Sequence, residues 1–149
     1  MADMGENPMS IAIEGLDELI ECLNRMTNKA AGGEAERNAL QSGAKPVYDE
    51  MKARAPVGPS PVAFPGALKG AIQIGPIKPG RSGQRITVGV HRKDWPYGDV
   101  YYPAYVEFGH GGPRPAPPHP YVRPSFDAAS EEAFTKIRDT LAEELGKIK

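Results

Sequence analysis

Residues 85–91 read Arg-Ile-Thr-Val-Gly-Val-His, and this stretch decides the fold class. Ile86, Val88 and Val90 alternate with Thr87, Gly89 and His91, the two-residue period of a strand with one buried face. Working backwards, Ala71 to Gly75 is a second strand candidate. Lys78-Pro79-Gly80-Arg81-Ser82-Gly83 between the two has the composition of a hairpin connection. Working forwards, Val100 to Phe108 is expected to hold a third strand with Tyr102, Ala104, Val106 and Phe108 on one face. Pro103 would confine its first part to an edge. The connections are too short for crossover helices, so the strands form an antiparallel meander. Ser10 to Glu14 is a further short run compatible with a strand.

Helical patterns flank this sheet. Asp17 offers an N-cap to a first helix, whose apolar positions Leu16, Leu19, Ile20, Leu23 and Met26 share a face. Asn28 to Gly33 reads as a loop. A second helix is expected from about Glu34 to Ala55, with Leu40, Ala44, Val47 and Met51 on one side and a kink or break at Pro46. It should stop before Pro56, and the proline-rich segment Pro56 to Gly66 is a loop. Gly109 to Pro120 is another. Phe134, Ile137, Leu141, Leu145 and Ile148 mark a final amphipathic helix, with Ser130 as its cap and Glu131 and Glu132 in its first turn. The expected fold class is therefore α+β. An antiparallel sheet of three to four strands packs against an N-terminal helix, a kinked second helix and a long C-terminal helix.

A chain of 149 residues suits one domain with a real core, taken as residues 1–149 with 1–9 as a flexible arm. Eighteen basic residues oppose nineteen acidic ones, which is not the balance of a protein that wraps nucleic acid phosphates. The start, MADMGENPMS, does not read as a signal peptide, and no apolar run approaches the roughly 18 residues of a membrane span. Cys22 alone cannot form an internal disulfide or a cysteine-rich zinc site. It reads as a buried thiol in a chain folded in a reducing cytoplasm.

Catalytic patterns are scarce. Glu107, His110 and His119 could be imagined as a metal site for a small hydrolase or nuclease, but their spacing matches no ligand pattern. No serine lies in a Gly-x-Ser-x-Gly turn, and no phosphate-binding glycine loop is present. Adjacent acids such as Glu131-Glu132 point about 100° apart on a helix and do not converge. Neither cofactor nor metal is required. Pro115-Ala116-Pro117-Pro118 contains a Pro-x-x-Pro pattern, which would suit a monomeric adaptor. A proline-stiffened loop at a subunit contact fits better, because it loses less entropy on docking.

The order of motifs carries more than any one of them. Gly15-Leu16-Asp17-Glu18-Leu19 is followed by Ala55-Pro56-Val57, then by Gly66, Leu68 and Ile72. Next come Tyr101-Tyr102-Pro103-Ala104-Tyr105-Val106-Glu107-Phe108-Gly109 and His119-Pro120-Tyr121-Val122-Arg123-Pro124-Ser125-Phe126. This succession resembles the tail-component family of long-tailed phages, whose members complete tails or join head to tail. The resemblance implies a non-enzymatic structural protein of the virion neck or tail, made in the cytoplasm of the bacterial host. It implies assembly with itself in a ring, with six-fold symmetry preferred, beside neck, portal-adaptor or tail-tube proteins. DNA would pass through without specific binding. The loops Pro56 to Gly66, His91 to Tyr101 and Gly109 to Pro120 are expected to make the contacts. Within the signatures, Val106 and Phe108 should anchor a strand in the core, Gly109 should permit a sharp exit, and Arg123 should brace against Glu107.

Overall fold

The computed structural model describes residues 10–13, 29–57, 66–81, 83–96 and 102–147. The strand legible at Ile86–Val90 lies at the centre of its sheet. The elements in chain order are β1 (Ser10–Ile13), α1 (Lys29–Arg54), α2 (Ala67–Ala71), β2 (Gln73–Ile74), β3 (Lys78–Pro79) and β4 (Gln84–Gly89). A 3-10 turn at Arg92–Asp94, α3 (Tyr102–Phe108) and α4 (Val122–Lys147) follow.

β4 pairs antiparallel with β1 on one side, Ile11 facing Val88 and Ile13 facing Ile86. Its other side carries β2, with Ile74 facing Val88, and then β3, with Lys78 facing Arg85. Between those two pairings the outer strand takes four steps where β4 takes three, so Gly75-Pro76-Ile77 holds a one-residue bulge. Gly75 N–H still reaches Thr87 O at 2.7 Å. A Cβ on Gly75 would meet the His91 ring at 3.0 Å, which is why the bulge begins on a glycine.

The side chains of Ile86, Val88 and Val90 are buried against α1, which packs in turn against α4. Among the described residues, α1 and α4 thus form the helical layer packed on the sheet. α1 and α4 approach closely along rows of small residues, Ala35, Ala39 and Gly43 on one and Ala129 and Ala133 on the other. A Cβ at Gly43 would stand 2.4 Å from Ile137 Cγ1 and 3.2 Å from Ala133 O, so glycine sets the closest approach of the two helices. Thr140 Oγ1 donates to Ser42 Oγ across the same seam at 2.9 Å. Leu40, Val47 and Met51 fill the remaining core, each contributing about 1.5–3 kcal/mol by burial. Glu36 on α1 is buried because its Oε1 accepts the first amide of β4, Gln84 N–H, at 2.7 Å, which ties helix to strand.

Several expectations are corrected. Tyr102–Phe108 is a helix, not a strand: proline is tolerated in a first helical turn, and Pro103, Val106 and Glu107 are buried at three- and four-residue spacing. Phe108 accordingly points away from the core, at 63% exposure, while Val106 does enter it. α1 begins at Lys29 within the expected loop, where Ala30 and Ala31 favour helix, and it runs without a break past Pro46. The buried ring of Pro46 adds packing that offsets its missing N–H. Of the strand expected over Ala71–Gly75, only Gln73–Ile74 pairs, and Ala71 closes α2. α4 starts eight residues before Ser130, so Ser130, Glu131 and Glu132 are interior positions and Phe134 is exposed. The helix expected around Leu16–Met26, Cys22, the arm 1–9 and loop residues 58–65 lie outside the described residues.

Candidate assembly surface

α3 is a short helix with two different sides. Tyr102, Tyr105 and Phe108, three residues apart, are exposed in a row, while Pro103, Val106 and Glu107 face inward. The inward carboxylate explains how so short a helix is held. Glu107 Oε2 accepts the backbone amides of Tyr121 at 2.7 Å and Val122 at 3.0 Å. Its Oε1 accepts that of Arg123 at 3.3 Å. These are the donors that the first turn of α4 leaves without intrahelical partners, and a negative charge there also meets the positive end of the helix dipole. The anticipated contact between Glu107 and Arg123 therefore exists through the Arg123 backbone amide. Arg123 is itself exposed.

The return path is equally tied. Gly109 takes φ 71°, and a Cβ there would lie 2.8 Å from both Ala116 O and Pro118 N. Only glycine fits that sharp exit from α3. His110 and Ala116 exchange both backbone hydrogen bonds, 3.0 and 2.9 Å, closing the loop between them. His119 N–H then donates to Val106 O at 2.7 Å, satisfying a carbonyl at the end of α3. Tyr121 is fully buried, and Ser125 Oγ donates back to its carbonyl. Pro120 is exposed, and Pro124 sits in the first turn of α4, where its missing N–H costs nothing.

Aromatic rings extend the exposed side of α3. Tyr102 stacks with Trp95 at 6.4 Å between ring centres, and Tyr105 meets His110 at 5.1 Å. Next to Phe108 an open groove of about 760 Å³ runs between Pro120, Val122, Pro124 and Ala128, with Glu107, Arg123 and Asp127 as its charged groups.

Tyr102, Tyr105, Val106, Glu107, Phe108, Gly109, His119, Pro120, Tyr121, Arg123 and Pro124 thus belong to one α3–α4 junction. Ala55, Pro56, Gly66 and Leu68 do not join its Glu107 hydrogen bonds or line its groove. Ala55 and Leu68 are core residues at the end of α1 and in α2, and Gly66 precedes α2 with φ 77°. Trp95 was anticipated only as part of the loop His91 to Tyr101, and the groove residues Asp127 and Ala128 were missed, as nothing in the local pattern marks them. For chemistry the arrangement offers little. Both oxygens of Glu107 are engaged by amides, and among the described residues no group of three or more His, Cys, Asp or Glu side chains could hold a metal ion.

Residues 17–109, well over half of the chain, match the family described as "Bacteriophage HK97-gp10, putative tail-component". The chain belongs to this HK97-gp10-like family of phage tail components. The matched stretch spans α1, the β2–β4 part of the sheet and α3, and it ends on Gly109, the glycine that turns the chain out of α3. The signature from His119 to Phe126 lies beyond it. Family membership makes the chain a structural phage tail component with a place in the virion. Among the described residues no helix is long and apolar enough to cross a membrane. No curated protein and no solved structure shows significant similarity to the chain.

Proposed function

We propose that this HK97-gp10-like protein is a tail-completion or head–tail joining subunit. It assembles with itself into a ring, six-fold to match the tail, between the portal complex and the tail tube, and DNA passes through the lumen. Membership of a tail-component family supports the setting. The observation that carries the joining role is the row Tyr102, Tyr105 and Phe108, exposed at 40%, 45% and 63% on a helix whose other side is locked by Glu107. Aromatic side chains supply large contact area at low entropic cost, and they dominate binding energy where they are held rigid before contact. A neighbouring neck or tail protein is the partner this edge fits.

Electron microscopy of the assembled particle, with the subunit located by labelling, tests the reading. Density for a closed ring between capsid and tail is the expected result, and absence from the mature particle would refute it. A Tyr105→Ser/Phe108→Ser variant should keep its thermal stability, because both side chains are exposed, yet fail to enter particles. Normal incorporation would remove the aromatic edge from the contact.

A further inference from the structure

The net charge of −1 conceals a strong separation of charge. Between Gly66 and Lys93 the sequence holds six basic residues and no acidic one. Part of that charge sits on the side of the sheet that faces away from α1. Arg85 alternates with the buried Ile86, Val88 and Val90, and Lys78 is its cross-strand partner. Lys93 follows in the turn after β4 and is exposed, as is Arg81 in the β3–β4 hairpin. Lys78, Arg81 and Lys93 enter no ion pair among the described residues.

α4 carries the opposite sign. Asp127, Glu131, Thr135, Asp139 and Glu143 are all exposed and recur every four residues. They lie two positions from the buried row Ser125, Ala129, Ala133, Ile137 and Leu141, hence about 200° around the helix, on its outer side. Asp139 and Glu143 have basic neighbours on the same helix, whereas Asp127 and Glu131 have none within ion-pair distance.

The acidic stripe also holds a like-charge contact that is unfavourable in a free chain, since Asp127 and Glu131 are four apart on one helix. With α1 layered between sheet and α4, the two strips look outward in different directions. A contact between them is necessarily heterologous, the type that generates rings.

We infer that neighbouring copies join sheet to helix, the basic outer face of β3–β4 in one copy seating on the acidic outer stripe of α4 in the next. This rests on the ring reading above and specifies its copy-to-copy contact. A second copy is the occupant because one chain supplies both complementary faces, and the pairing relieves the like-charge contact on α4.

The test is sedimentation velocity of the full chain over a concentration series at low and high salt. Reversible association at low salt, lost at high salt, is expected. Lys78→Glu/Lys93→Glu and Glu131→Lys/Asp139→Lys should each weaken it by about tenfold or more, since like charges then face each other. All four positions are exposed, so circular dichroism should show both variants folded. Mixing the two variants restores opposite signs at every contact and should restore association, a rescue that misfolding could not give. Association indifferent to both reversals would overturn the sheet-to-helix contact and leave a ring built through other faces. A chain that stays monomeric at low salt overturns the inference as well. If that monomer instead binds a duplex oligonucleotide, and Lys78→Glu/Lys93→Glu abolishes the binding, the basic face serves DNA.

Discussion

Removing the Glu107 carboxylate puts the α3–α4 junction to a direct test. In Glu107→Ala, three amides at the start of α4 lose a shared acceptor in a place that water reaches poorly, since the side chain is only 7% exposed. A hydrogen bond to a charged group contributes about 1.5–3 kcal/mol, and loss of an ordinary N-cap costs about 0.5–2 kcal/mol. The three bonds are not additive, because α4 remains packed on α1 along most of its length and only its first turn relaxes. A loss of about 3 kcal/mol is expected. For a chain of this size that corresponds to a fall in Tm of about 6–12 °C. Glu107→Gln keeps one oxygen for Tyr121 and Val122 but turns an NH2 group towards Arg123 N–H, so about half the loss is expected. Urea denaturation gives the free energies, and hydrogen exchange at residues 121–123 locates the change. A Glu107→Ala protein within about 0.5 kcal/mol of the wild type, with those amides still protected, would refute the capping role.

Gly43→Ala should destabilise by about 1–2 kcal/mol. The overpacking cost against Ile137 and Ala133 O exceeds the helix-propensity gain of about 1 kcal/mol, and thermal unfolding reads the sign. Adding Ile137→Ala removes the atoms that clash, so the double variant should be less destabilised than the sum of the singles; strict additivity would contradict the close approach. His91 has its pKa lowered, first by burial and then by Lys78 and Lys93, with Asp94 opposing. The folded state therefore binds its proton less readily than the unfolded chain does, and stability is complete above about 6.5 and falls as pH drops below it. His91→Gln should flatten that dependence over roughly pH 7 to 5 in denaturation titrations, and an unchanged slope would assign it to other groups.

What could be read in advance follows from how local each signal is. β4 was legible because Ile86, Val88 and Val90 state their burial in a two-residue period free of proline. α3 was not. Tyr102, Ala104, Val106 and Phe108 also alternate, so seven residues fit either period, and only the burial of Pro103 and Glu107 decides between them. The start of α4 was misplaced for a related reason. Pro120 and Pro124 look like breakers, yet Pro124 is harmless in a first turn, and the cap is supplied by a carboxylate fourteen residues before Tyr121. A cap from so far along the chain leaves no local trace. The closeness of α1 and α4 was in principle readable from Ala35, Ala39 and Gly43 at four-residue spacing, a pattern of small residues and not of large apolar ones. At the candidate surface, the residues from Tyr102 to Gly109 and from His119 to Pro124 were recognised as belonging together. Which of them point outward depended on the helix period and could not be read before it.

The bulge between β2 and β3 has a bearing on how this protein can meet its neighbours. Pro76 and Pro79 have no N–H to offer, and the extra residue throws that margin of the sheet out of step. An incoming strand would find gaps where a continuous ladder requires donors, so this border is closed to extension by pairing. For a subunit gathered at high local concentration inside a particle, that closure separates ordered joining from runaway fibre growth. Adhesion along this border is left to side chains, whose charge and shape, unlike backbone amides, discriminate between partners.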